Sequence, residues 1–172
     1  APPPPSGAEL VARARAQREE RRRKTGQARE RTVGAGKAYM AAATQLREAF
    51  SMAYSTPRAA VDKAMGIVTE VADAFASNDD VSIVLLSDRM AGSNLHTHAI
   101  NVMLLTLLIA KSNSASDAEL KDIGIGALFH DVGKLKVPDA VRMKPEADWT
   151  RADHNYMQMH CELGAKLTLN LP

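Results

Sequence analysis

Apolar residues recur every three or four positions along most of this sequence, which is the spacing of one face of a helix. Leu46, Phe50 and Tyr54 fall four residues apart and form one such stripe, and a second stripe begins at Val61 and includes Val68. Asn-Gly turns, which mark β-hairpins, are missing from the sequence, and runs of β-branched residues are few. The pattern therefore predicts an all-α protein.

Residues that typically cap the N-terminus of a helix predict where two helices begin. Thr56 can cap a helix whose first residue is Pro57, because the missing N–H of proline costs nothing at that position. Ser116 is followed three residues later by Glu119, and this pair predicts a capping box at the start of a helix over about 116–132.

Three further helices and one break complete the predicted order. A buried helix is predicted over about 95–111, a short helix over about 81–90, and a final helix over about 150–167. The sequence Val-Gly-Ala-Gly at 33–36 predicts a break in the helical pattern, since glycine disfavours helix interiors.

The longest apolar run extends from Ala99 to Ala110 and contains Asn101. A membrane-spanning helix needs about 20 apolar residues, so this run predicts a buried helix and no membrane span. A single cysteine, Cys161, and the lack of a visible secretory signal predict a reducing, cytoplasmic location.

Charge is distributed unevenly along the chain. Residues 1–37 contain ten Lys or Arg against four Glu, a net charge of +6, whereas residues 38–172 carry a net charge of −4. No aromatic residue interrupts the basic run at 13–24 to stack on a base, so the pattern does not favour nucleic-acid binding. Its charge and its proline-rich start predict a solvated linker or extended helix over 1–37.

Polar groups suited to metal binding lie at the ends of predicted apolar helices. His130 and Asp131 end one such helix, where an unpaired buried charge would cost roughly several kcal/mol. His98 and His160 lie on two other predicted helices and can reach the same site. Each histidine taken alone is more often a hydrogen-bonded core residue, and the adjacent His-Asp pair is what favours a metal ion. A site of imidazole and carboxylate ligands suits iron or manganese, whereas structural zinc favours thiolate-rich sites.

Other polar residues near this cluster receive different predictions. Lys134, three residues after the His-Asp pair, would lie beside the ion and bind phosphate oxygens as a point charge. His96 and His154 are predicted to face elsewhere, and Cys161 is predicted to pack behind the site without ligating. Asp153 lies on the same predicted face as His160 and is a candidate to orient its imidazole.

Three motifs in order resemble the HD-GYP family, a branch of the HD metal-dependent phosphohydrolases. They are HAINV at 98–102, HDVGKLKVPD at 130–139 and MQMHCELGAKL at 157–167. The resemblance implies a helical HD-domain bundle and a bacterial signalling enzyme. Such enzymes hydrolyse cyclic di-GMP to pGpG or GMP at two or three metal ions, usually iron or manganese.

Position by position, the resemblance implies that His98, His130, Asp131 and His160 ligate metal. Lys134 would contact the substrate phosphate, and Asp131 and Lys134 would together form the catalytic pair. Members of the family with three metals carry a glutamate one turn before the first histidine, where this chain has Asn94. The resemblance therefore implies a binuclear site.

In the family, these three motifs are followed by paired histidines, a Gly-Tyr-Pro motif and an aspartate. Residues 168–172 of this sequence contain none of these. We therefore expect 93–172 to be the N-terminal part of an HD-GYP core that is incomplete at its C-terminus, preceded by a helical segment over 38–92. As this chain alone, it is expected to lack turnover and to self-associate, or to bind another signalling protein, through uncovered apolar faces.

Two alternatives remain open from the sequence. One is a simpler HD phosphohydrolase that acts on nucleotides with a single metal, which requires a distant aspartate as a further ligand. The other is a non-catalytic module that senses cyclic di-GMP or mediates protein interactions.

Overall fold

The computed structural model describes residues 6–77 and 94–169. All regular secondary structure in these ranges is helical, which confirms the prediction of an all-α fold. The α-helices are α1 (Gly7–Met52), α2 (Pro57–Ser77), α3 (Leu95–Ser112), α4 (Asp117–Phe129), α5 (Asp139–Arg142), α6 (Arg151–Gln158) and α7 (His160–Thr168). The 3₁₀ helices Val132–Lys136 and Glu146–Asp148 flank α5. The short helix predicted over 81–90 lies outside the described residues.

Residue contacts divide the chain into two units, Ala1–Ala38 and Tyr39–Pro172. In the first unit, the side chains from 6 to 30 are all exposed, which suits their charged composition. α1 runs through Gly34 and Gly36, so the predicted break at this point is wrong. A glycine inside a helix costs only about 1 kcal/mol relative to alanine, and the helix-forming residues around this pair offset that cost.

The core of the second unit is built from the part of α1 that follows Ala38 and from α2, α3 and α4. The largest fully buried side chains are Phe50, Leu46, Ile67, Ile100, Met103, Leu107, Leu128, Val68 and Val132. Each such side chain contributes roughly 1.5–3 kcal/mol by leaving water. Leu46 and Phe50 are therefore core residues, whereas Tyr54, the third member of their predicted stripe, is 39% exposed.

α2 packs against α4. The buried face of α2 includes Ala64, Ile67 and Val68, so Val68 of the predicted stripe is a core residue, whereas Val61 is only partly buried. On α4, Gly124 lies so close to α2 that a Cβ atom in its place would be 2.5 Å from Cγ1 of Val68. The missing side chain at this position is what allows the two helices to approach.

Capping side chains fix the starts of the helices that lead to the functional residues. The predicted capping box of Ser116 and Glu119 is present at the start of α4. Thr150 and Asp153 form a second capping box at the start of α6. The single helix predicted over 150–167 is interrupted at Met159, so α6 and α7 are separate helices.

Among the described residues, α3 is the helix whose length and apolar content would suffice to cross a membrane. It packs Ile100, Met103 and Leu107 into the core. The hydroxyl group of Tyr39 also donates a hydrogen bond of 2.8 Å to the Asn101 side chain on α3. These contacts make α3 a core helix.

Two glycines of α4 provide a matched test of the packing between α2 and α4. We expect Gly124→Ala to lower the melting temperature, because overpacking against the stiff Val68 side chain costs about 1–3 kcal/mol. We expect Gly126→Ala to raise it by a few degrees, since a Cβ there meets no atom of the described residues within 4 Å and alanine favours the helix by about 1 kcal/mol. Thermal unfolding followed by circular dichroism measures both. Equal shifts for the two variants would contradict this account of the helix contact.

Candidate metal centre

The carboxylate of Asp131 is the centre of a cluster of charged and imidazole side chains. Asp131 is 4% exposed and lies between the end of α4 and the 3₁₀ helix that follows. Its Oδ2 atom lies 3.5 Å from Nε2 of His98, 3.3 Å from Nε2 of His130 and 2.5 Å from Nζ of Lys134. Its Oδ1 atom lies 3.2 Å from Nε2 of His160. The structure thus brings together all five residues that the sequence analysis selected.

Backbone carbonyl groups orient two of these histidines. Nδ1 of His130 donates a hydrogen bond of 2.7 Å to the carbonyl oxygen of Ala127, and Nδ1 of His160 donates to the carbonyl oxygen of Met157. A carbonyl oxygen only accepts, so in each neutral ring the proton is on Nδ1 and the lone pair is on Nε2. A hydrogen bond from the other ring nitrogen is the usual way in which a metal-binding imidazole is held.

The spacing of the ligand atoms fits a single divalent ion. One ligand atom each from His98, His130 and Asp131 lies within 4.8 Å of the other two. Bonds of about 2.0–2.2 Å to nitrogen or oxygen place ligand atoms roughly 3–4 Å apart around an ion, so a small contraction is enough. The set of imidazole nitrogens and a carboxylate suits a first-row transition metal.

The protonation state of Asp131 also suits ligation. Burial raises the pKa of its carboxyl group, but the hydrogen bond from Lys134 and the charges of His130, Lys134 and His160 together lower the pKa by more. The pKa therefore lies below its ordinary value, and the group is an ionised carboxylate at neutral pH.

Close contact between backbones positions His160 relative to Asp131. A Cβ atom at Gly133 would lie 1.9 Å from the carbonyl oxygen of His160 and 2.5 Å from the backbone nitrogen of Gly164. A Cβ at Gly164 would in turn lie 3.4 Å from the backbone nitrogen of Gly133. The 3₁₀ helix and α7 are therefore in contact at a distance that only glycine at position 133 permits.

Several nearby polar residues have roles outside the cluster. The side chain of Asn94 caps α3 and accepts hydrogen bonds from the backbone nitrogens of His96 and Thr97. The ring of His96 packs against Phe50, with centroids 5.5 Å apart. Burial lowers the pKa of His96, and nearby arginine charges add to this effect.

Asp153 does not orient His160, as the sequence had suggested, because its carboxylate is engaged at the start of α6. It forms an ion pair of 2.7 Å with Lys144 and accepts hydrogen bonds from Thr150. The hydrogen bond from Lys144, followed by those from Thr150, lowers its pKa to about 2.

Cys161 is exposed, so the prediction that it packs behind the site is wrong. Its Sγ atom lies 3.5 Å from Nε2 of His160. The two residues are neighbours on α7, about 100° apart around the helix axis, and this angle alone does not determine where the sulfur atom lies. The orientation of the imidazole, which the carbonyl group of Met157 sets, brings the sulfur atom close to the ring.

An open cleft of about 580 Å³ lies beside the cluster. Its walls include His98, Asp131 and Lys134 together with Arg142 and Trp149. No motif in the sequence indicates the last two residues as part of the site. Their position beside the metal centre depends on how the chain between the 3₁₀ helix at 132–136 and α6 folds back, and no local pattern in the sequence reports that.

Comparison with known proteins agrees with this geometry. Residues 95–171 match the model of the HD domain family. The match includes all five residues of the cluster.

Two curated relatives resemble part of the chain. The cyclic di-GMP phosphodiesterase PA4108 of Pseudomonas aeruginosa is 27% identical over 107 residues, which cover 62% of this chain and 26% of the relative. The cyclic di-GMP phosphodiesterase response regulator RpfG of Xanthomonas campestris is 35% identical over 60 residues, which cover 35% of this chain and 16% of the relative. The chain thus spans about a quarter or less of the length of these relatives. No solved structure matches it.

We expect Gly133→Ala to weaken binding of Mn²⁺ by about 10- to 100-fold, because the methyl group would displace α7 and with it His160. Isothermal titration with Mn²⁺ measures the affinity. Lys136→Ala, which removes an exposed side chain from the same 3₁₀ helix, serves as the control and should bind Mn²⁺ like the wild type. An unchanged affinity in the Gly133 variant would contradict the role of this backbone contact.

Proposed function

We propose that this chain contributes the metal-binding part of an HD-GYP phosphodiesterase that hydrolyses cyclic di-GMP. The observation that carries the proposal is the arrangement around Asp131, where three imidazoles direct Nε2 at one carboxylate and an ammonium group lies beside them. Both curated relatives are described as cyclic di-GMP phosphodiesterases, which supports this substrate.

In this proposal, His98, His130, Asp131 and His160 hold a divalent ion, with iron or manganese as the expected metal. Such an ion, when bound, supplies Lewis acidity that activates water and offsets phosphate charge. The carbonyl groups behind His130 and His160 keep their imidazoles oriented for ligation. Asp131 contributes the one negative charge among the four, which makes a cation favourable at a site that also contains Lys134.

Lys134 is proposed to hold the substrate phosphate. Its ammonium group is partly exposed, lines the cleft and is 2.5 Å from Asp131. A bound ion would compete with Lys134 for the carboxylate of Asp131. The hydrogen-bond donors of Lys134 would then be free for a phosphate oxygen. The lysine would then fix the phosphate in the cleft and stabilise the charge that develops on its oxygens.

The four proposed ligands are enough to hold one metal ion, whereas the enzymes of the family that the motifs resemble use at least two metal ions. We therefore expect this chain by itself to bind cyclic di-GMP but to show turnover below detection. A cytoplasmic location is part of the same proposal, since cyclic di-GMP is an intracellular messenger in the family that the motifs resemble.

Metal binding tests the site itself. We expect His130→Ala to reduce the Mn²⁺ or Fe²⁺ retained after dialysis from about one ion per chain to near zero, because it removes a ligand and the group that packs on His98. His154→Ala is the matched control, since this exposed histidine lies outside the cluster. Metal analysis by mass spectrometry measures both. Equal retention in the two variants would contradict the ligand assignment.

Ligand binding and turnover test the substrate. We expect the Mn²⁺-loaded chain to bind cyclic di-GMP in calorimetry, and we expect Lys134→Met to weaken binding by roughly tenfold through loss of a charged hydrogen bond. Chromatography for pGpG and GMP measures turnover. If no metal-dependent binding is found, the proposed substrate is wrong. Turnover that His130→Ala abolishes would support the site and contradict the expected inactivity.

We also propose that the chain self-associates through the outer face of α3. Leu105 is 48% exposed and Ile109 is 63% exposed, one turn apart on this helix. We expect light scattering at micromolar concentration to report an oligomer and Ile109→Lys to shift it toward the monomer, because a charge on this face cannot be buried without a partner. A monomeric wild-type chain would refute this proposal.

A further inference from the structure

The cleft beside the metal centre has a wall that metal binding does not use. His98, Asp131 and Lys134 line one part of the cleft, and Arg142 and Trp149 line another. The second pair lies on α5 and just before the start of α6, so it comes from the segment that follows the cluster in the chain. Neither side chain contacts Asp131 among the hydrogen bonds and ion pairs of the described residues.

Trp149 is the only tryptophan in a sequence with 4% aromatic residues. Its indole Nε1 donates a hydrogen bond of 2.9 Å to the carbonyl oxygen of Lys144. Its ring also meets the ring of His154 at a nearly perpendicular angle, with centroids 5.2 Å apart. These two contacts fix the orientation of the indole while part of it stays exposed in the cleft. A fixed, partly exposed aromatic ring is a surface on which a nucleobase stacks.

Arg142 has hydrogen-bonding capacity that the described residues do not use. One nitrogen, Nη2, pairs with Oδ1 of Asp139, which is an exposed carboxylate. Nε is buried and has no hydrogen-bond partner among the described residues. If this long side chain rotates, Nε and one Nη group can both donate hydrogen bonds to a ligand in the cleft. The guanidinium group presents these two donors side by side, which suits two adjacent acceptors on one ligand.

A nucleotide supplies ligands for both parts of the cleft. Its phosphate suits the charged part at Lys134, and its base suits the wall made by the indole and the guanidinium groups. Guanine presents two adjacent acceptors, O6 and N7, to an arginine fork. Adenine replaces O6 by an amino group, which is a donor and would meet the donors of Arg142 unfavourably.

We infer that Trp149 and Arg142 form a guanine subsite, in which the indole stacks on the base and the guanidinium group donates to O6 and N7. The inference rests on the proposed function, because it assumes that the cleft takes a nucleotide, and it explains selection of cyclic di-GMP over a cyclic dinucleotide that contains adenine. Arg142 and Trp149 are specificity-determining residues in this account and take no part in bond breaking.

The single tryptophan makes the inference directly measurable. With the metal-free chain and excitation at the red edge of indole absorption, we expect GMP to quench the fluorescence of Trp149 with a dissociation constant about tenfold lower than that for AMP. Arg142→Gln should remove the difference between the two nucleotides. Arg142→Lys, which keeps the charge without the fork, should also lose most of it. Circular dichroism confirms that the variants are folded.

Calorimetry with cyclic di-GMP and the Mn²⁺-loaded chain separates this inference from the proposed function. Trp149→Leu should weaken binding by about tenfold, and Trp149→Phe, which retains a stacking ring, should restore most of the affinity. Equal quenching by GMP and AMP, or an unchanged affinity in Trp149→Leu, would overturn the guanine subsite even where His130→Ala abolishes metal binding. GMP selectivity that depends on Arg142 would support the subsite even where cyclic di-GMP is not hydrolysed.

Discussion

A buried carboxylate group is the constraint on which the arrangement of these helices depends. Asp131 is ionised and nearly inaccessible to water, so its charge requires compensation from within the protein. The ammonium group of Lys134 on the following 3₁₀ helix supplies a positive charge, and His98 on α3, His130 at the end of α4 and His160 on α7 lie within 3.5 Å of the carboxylate. Any arrangement that separates α3 and α7 from Asp131 would remove His98 and His160 and leave the carboxylate with its local neighbours His130 and Lys134. The same groups that satisfy the charge in the protein alone are those that would surround a cation.

The core explains how these elements are held at the required positions. α3 and α4 carry His98 and His130, and both helices bury apolar side chains against α1 and α2. Gly124 lets α4 approach α2 closely. The residues that fill the core and the residues that form the site therefore lie on the same helices, with the polar groups near the helix ends. An ion or ligand at the cluster contacts elements that the apolar core has already ordered.

The parts of this structure that the sequence predicts are those with local causes. The start of α4 follows from Ser116 and Glu119, which are three residues apart and cap the helix through their own side chains. The adjacency of His130 and Asp131 likewise places an imidazole and a carboxylate at one helix end without any distant contact. Sequence motifs also selected His98 and His160, because the order of the motifs resembles a known family.

Features with distant causes could not be predicted in the same way. The glycines at 34 and 36 resembled a helix break, but the residues on both sides favour helix strongly enough to continue α1. The closeness of the Cys161 sulfur atom to His160 depends on the orientation of the imidazole, which the carbonyl group of Met157 sets. Trp149 lines the cleft only because the chain folds back after α5, and its spacing from other aromatic residues gives no indication of this.

The contact between Gly133 and the backbone of α7 has a consequence for how such a domain tolerates sequence change. A distance set by two main chains in direct contact depends on the glycines at 133 and 164 and not on the size of other side chains. The separation of Asp131 and His160 is therefore little affected by substitutions elsewhere in the core. Substitutions of the aliphatic residues of α1 or α2 can then change the melting temperature while the geometry of the charged cluster stays the same. Most of the sequence can therefore change while the distance between Asp131 and His160 stays the same.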